Sequence, residues 1–122
     1  MAKFETIKKN EDFQRIFEKG HSISGRYIVV YFLHTSSNQT RFGFCVGKKT
    51  GSAVTRNRIR RIFREVIALL QPIGENGLDI LIVGRPMVVR ADFNRIFGEI
   101  KHILWNAGLK SSQSQQNMED YR

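Results

Sequence analysis

The stretch VGKKTGSAVTRNRIRRIFRE, residues 46–65, carries seven cations between Lys48 and Arg64 and no acid before Glu65. It also carries a start signal. Ser52 or Thr55 can cap a helix, and Ile59, Ile62, Phe63 and Val66 recur behind them at helical spacing. The spacing predicts a helix to about Leu70, stopped by Pro72, because a residue before proline is steered away from the helical region. At about 100° per residue, with Ile59 as zero, Phe63, Val66 and Leu70 fall within about 40° and Ile62 about 60° away. Asn57, Arg60, Arg61 and Arg64 take the opposite arc, about 100° to 200°, while Arg56 lies near about 60° and Arg58 near about 260°. An apolar stripe is left to dock on a sheet, and cations occupy the rest.

Such crowding is locally unfavourable. A solvated helix face alternates signs so that residues four apart support each other, and only Glu65 is offered here. Cations in the first turns also oppose the helix dipole. Both choices point to an external polyanion. Arginine's forked donors fit phosphate and its plane stacks on bases, which favours nucleic acid over a lipid surface. The whole chain agrees: its 122 residues have a net charge of +9, and ten Lys or Arg from Lys19 to Arg64 are joined by no Asp or Glu.

Other chemistries find little support. Gly47-Lys48-Lys49-Thr50-Gly51 looks like a phosphate loop, but GxxxxGK[ST] needs four residues between its glycines and Ser or Thr after the lysine. Gly43 to Gly47 leaves three, and Lys49 stands at the second required position. His21, His34 and His102 show no metal-ligand spacing, and no nucleophile–base set or carboxylate pair lies near the basic block. Cys45, the only cysteine, excludes an internal disulfide, suggests a reducing compartment, and in FGFCV reads as a small packed residue. No N-terminal signal sequence is read, and no apolar run approaches the roughly 18 residues of a membrane span. A cytoplasmic location is expected, with no membrane partner.

Working outward, Asn10 is expected to cap a first helix, with Glu11 and Asp12 in its first turn, Phe13, Ile16 and Phe17 on one side, and Gly20 at its end. Tyr27 to Leu33 and Arg41 to Val46 read as strands joined through the polar turn Thr35 to Thr40, a hairpin. A short extended piece around Ile23 is a third strand. Leu78 to Val83 is a further strand, covered on at least one face, and Asp92 caps a last helix carrying Phe93, Ile96, Phe97, Ile100, Ile103 and Leu104. The order α-β-β-β-α-β-α defines an α+β sandwich of helices against a small sheet. Residues 1–110 are expected to form a single domain, and the polar residues 111–122 a disordered tail.

Phe13 and Phe17, four apart on their helix, and Tyr27 and Tyr31, on one face of their strand, admit two readings. One is core packing; the other is a platform on which unpaired bases stack. Tyr31 is the better platform candidate, since its hydroxyl prefers a wet edge.

Across AVTRNRIRR, residues 53–61, with Arg64 one turn on, the chain resembles the protein subunit of bacterial ribonuclease P. KKNEDFQRIFEKG (8–20), YIVVYFL (27–33) and ILIVGRP (80–86) match the same family in order, so the resemblance covers about residues 5 to 108. It implies a ribonucleoprotein endonuclease whose catalyst is a magnesium-dependent RNA. The protein binds that RNA subunit and the 5′ leader of precursor tRNA, assisting the leader's removal. It also implies a ribosomal-protein-like fold with a left-handed β-α-β crossover, against the usual hand, and a complex of one protein with one RNA. Carried over by position, Arg56, Asn57, Arg58, Arg60, Arg61 and Arg64 bind RNA. Phe13, Phe17, Tyr31, Lys48 and Lys49 hold the leader, the lysines at a basic strand end. No residue is implied to be catalytic or to hold metal, and magnesium belongs mainly to the RNA. Arg60 stands where the family often has Lys, and Gly47 where it often has Ser; neither change removes charge. The alternative function is a ribosomal or other structured-RNA-binding protein with no part in cleavage.

Overall fold

The computed structural model describes residues 4–73 and 77–109. The expected tail at 111–122 lies outside the described residues. In chain order the elements are β1 (Glu5–Thr6), α1 (Asn10–Lys19), β2 (His21–Ser24), β3 (Ile28–His34), β4 (Arg41–Val46), α2 (Ala53–Leu70), β5 (Leu78–Gly84) and α3 (Phe93–Asn106). Short 3-10 turns at Lys48–Thr50 and Pro86–Arg90 follow β4 and β5.

The five strands lie in the order β1-β4-β5-β3-β2. The expected hairpin of β3 and β4 is therefore not formed: β5 lies between them, antiparallel to β3 and parallel to β4. The reason is in β5 itself. LDILIVG is buried at every position but Val83, and a strand this apolar on both faces belongs in the middle of a covered sheet. The extended piece around Ile23 is β2, antiparallel to β3 at the sheet edge. β1, which carries no periodic signal at two residues, adds a parallel edge beside β4.

The alternation of β4 sorts the layers. Phe42 and Val46 point with Ile28, Val30, Ile80 and Ile82 into the main core. Against them packs the apolar stripe of α2, Ile59, Phe63, Val66 and Ile67, together with Ile96, Ile100 and Leu104 of α3. The opposite face is covered by α1, where Ile16, Leu81 and Ile7 form a smaller core with Phe13, Tyr31, Leu33, Cys45 and Val83 at its margin. Tyr27 precedes β3 and joins the main core, so Tyr27 and Tyr31 do not share a face as expected.

Helix ends follow the chemistry with one exception. Ser52 accepts from the Thr55 amide, and Asp92 from the Arg95 amide. At α1 the cap position is Lys9, with no side-chain cap bond, and Asn10 is already helical. Gly20 closes α1 where a Cβ would stand 2.6 Å from the Ile16 carbonyl oxygen and 2.9 Å from that of Phe32. Only glycine fits between those two backbones.

Candidate nucleic-acid interface

α2 presents its cations as its periodicity requires. Asn57, Arg58, Arg61 and Arg64 are exposed, and Arg56 and Arg60 are half-buried on the flanks beside the buried Ile59. The salt bridges found among the described residues involve none of these arginines. Arg60 Nη2 donates to Asn57 Oδ1, which orders two members of the row one turn apart. The Arg64 guanidinium lies over the Phe44 ring, 5.5 Å from its centroid, leaving its edge free to donate. Lys48 and Lys49 are exposed but occupy the 3-10 turn after β4 rather than the strand end itself.

An aromatic cluster lies on the α1 side of the sheet. Phe17, 43% exposed, meets the half-buried Tyr31 edge to face at 4.9 Å between centroids. Phe13, one turn earlier, sits over Gly43, where a Cβ would approach its ring within 2.7 Å. Cys45, two residues along the same face of β4, is half-buried. Burial pushes its thiol pKa up, and the charge of Arg60 pulls partly the other way. A raised pKa makes Cys45 a poor nucleophile. The structure thus brings Phe13, Phe17 and Tyr31 together on the α1 side of the sheet. The exposed part of the Phe17 ring, with Tyr31 against it, can stack an unpaired base.

Beneath the first turn of α1 lies an ion network that sequence reasoning did not find. Arg41 donates to both carboxylate oxygens of Asp79, at 2.9 and 2.7 Å, and Asp79 is 1% exposed. Arg15 donates to Asp12 at 2.7 Å, and Arg41 reaches Asp12 at 3.5 Å. The Arg15 hydrogen bond, helped by the charges of Arg41 and Arg15, holds the Asp12 carboxyl below its ordinary value despite burial. The available signal was a lone Asp in LDILIVG and a lone Arg opening RFGFCV, both on the face shared with Leu81 and Cys45. Among the described residues no three His, Cys, Asp or Glu come together as a metal group, and no helix is long and apolar enough to cross a membrane.

A basic α+β fold whose α2 arginines make no salt bridge among the described residues, with an aromatic cluster on its α1 face, defines a nucleic-acid-binding protein of the ribonucleoprotein type. The chain belongs to the ribonuclease P protein family, whose model matches residues 1–108. The ribonuclease P protein component of Natranaerobius thermophilus is 41% identical over 95 residues, covering 78% of this chain and 83% of that protein. The solved ribonuclease P protein of Staphylococcus aureus superposes with a TM-score of 0.80 at 36% identity, covering 89% of this chain and all of that one. That of Thermotoga maritima gives 0.74 at 29% identity, with coverages of 82% and 94%. The chain is thus the protein component of a ribonucleoprotein endoribonuclease of tRNA processing.

Proposed function

We propose that this chain binds the catalytic RNA subunit through α2 and grips the single-stranded 5′ leader of precursor tRNA at the aromatic cluster on its α1 face. The observation that carries the reading is the arginine row of α2, which makes no salt bridge among the described residues, in a chain that also gathers Phe13, Phe17 and Tyr31 on one face of its sheet. Asn57, Arg58, Arg61 and Arg64 point outward to neutralise phosphates of the RNA subunit, and Arg56 supports them from the flank. Phe13, Phe17 and Tyr31 offer ring surface to leader bases, with Lys48 and Lys49 meeting leader phosphates at the end of β4. Catalysis rests with the RNA, and the protein's contribution is placement. The complex is one protein with one RNA, acting in the cytoplasm and away from membranes.

Magnesium fits this division of labour. The candidate interface is made of arginine, lysine, asparagine and aromatic side chains, a donor set that repels a divalent cation, so RNA phosphates must hold the ion. By lowering phosphate repulsion, the protein helps the RNA retain magnesium at the cleavage site. Reconstitution at limiting magnesium checks this step, and an unchanged magnesium requirement would sink it.

The function as a whole is tested by adding the chain to ribonuclease P RNA and measuring cleavage and affinity for precursor and mature tRNA. The expected outcome is faster cleavage and a preference for precursor that needs the chain. Tight RNA binding without either effect would leave a structured-RNA-binding protein, and cleavage by the chain alone would make it a nuclease in its own right.

A further inference from the structure

Two consecutive α1-facing positions of β4 receive two consecutive residues of α1. Arg41 takes Asp12, and Gly43 takes the ring of Phe13. Arg41 is itself fixed, because both its Nε and Nη2 are bonded to Asp79, its direct partner across the β4–β5 ladder. Arg15, from the next turn of α1, closes the network on Asp12 and lies 3.8 Å from Asp79. Two guanidiniums and two carboxylates balance, so the network carries no net charge to attract an outside anion.

We propose that Arg41 and Asp79, with the space left by Gly43, are positioning residues of the aromatic cluster: they set the rotation of α1 and so the placement of Phe13 and Phe17 against Tyr31. This deepens the proposed leader-binding function and rests on it. Attachment of α1 does not need the ions, since Ile16 is fully buried under it. Apolar contact is non-directional and tolerates rolling of a helix about its axis. A forked arginine–carboxylate pair is directional and resists it. The division is therefore by kind of force: Ile16 holds the helix down, and the ion network sets its angle. The ring of Phe13, the residue after Asp12, then falls into the Gly43 slot, and Phe17 one turn on reaches Tyr31 at 4.9 Å.

The test uses the holoenzyme reconstituted with the full chain. In the double variant Arg41→Met/Asp79→Leu the ion pair is replaced by apolar groups of similar size, an exchange that often leaves stability intact. The expected result is an affinity ratio of precursor over mature tRNA reduced about tenfold, the scale of one lost stacked base. Affinity for the RNA subunit and the melting temperature of the free chain stay near wild type. The Tyr31 ring protons, which sense the edge-on Phe17, shift in the NMR spectrum of the free chain. A folded variant with the wild-type ratio and wild-type Tyr31 shifts overturns the proposal. Should the double variant not fold, Arg41→Lys keeps the charge without the fork, and is judged by the same two readouts. If wild type itself shows no preference for precursor, the leader function fails. The Tyr31 shift still decides whether the network positions α1.

Discussion

Arg60 and Arg61 are adjacent in sequence but meet different surroundings. Arg61 is exposed, while Arg60 is half-buried and bonded to Asn57. Replacing either by alanine should weaken binding to the RNA subunit and lower the slope of log affinity against log salt by roughly one unit per lost phosphate contact. A slope equal to wild type in a titration from low to moderate salt would place that arginine off the RNA. Tyr31→Ala should weaken precursor binding by ~1–3 kcal/mol, the value of a stacked base, and spare mature tRNA. Equal losses for both ligands in parallel binding assays would return Tyr31 to a packing role. These residues were legible because charge and aromatic character are written in the side chains themselves. Asp79 and Arg41 were not, since a salt bridge between positions 38 apart depends on which strands become neighbours.

At the scale of the element, α1 is the least self-sufficient helix. It lacks a side-chain cap, and its Asp12 turns away from the backbone to Arg15 and Arg41. The Asp12 carboxyl is held below its ordinary 3.8 in the folded chain. A depressed carboxylate stabilises the fold at any pH above the unfolded value, and that contribution disappears as pH falls through the folded one. Thermal melts of wild type and Asp12→Asn should therefore differ near neutrality and converge below about pH 4. A gap that persists in acid would assign the difference to hydrogen bonding or helix propensity instead. The ends of α2 and α3 were readable at Ser52 and Asp92 because a cap is a local contract between residues three apart. At Asn10 the same signal misled, because the helix starts one residue earlier, with Lys9 at the cap and Asn10 already inside it. The lysine pair was expected at a strand end and instead forms a turn, a shift of two residues that leaves its exposure unchanged.

For the whole molecule, the decisive element is β5. Ile80 is fully buried, pairing with Phe32 on one side and Phe42 on the other. Ile80→Ala should cost about 2–5 kcal/mol by urea denaturation, with the leader and RNA contacts untouched in what remains folded. A loss below about 1 kcal/mol would mean that the core collapses around the gap. Adjacent apolar segments separated by a polar turn made a hairpin the natural expectation for β3 and β4. The element kinds were legible from local periodicity, but the order of strands was not, because the strand that separates them comes 32 residues after β4 ends.

That late strand also orders events in time. Synthesis runs from the N-terminus, so β3, β4 and α2 leave the ribosome before β5 does, and until then no sheet can form between β3 and β4. In that interval the chain is an arginine-rich segment whose apolar stripe, Ile59, Phe63, Val66 and Ile67, lacks the part of its cover that Ile80 and Ile82 of β5 and Ile96, Ile100 and Leu104 of α3 supply. Sheet closure at β5 converts this sticky polycation into a helix with a buried side and a charged side. A fragment ending at residue 77 should accordingly show no cooperative melt in calorimetry, and a fragment ending at 109 should regain it. The nascent chain thus exposes its cations first and completes the framework that aims them last.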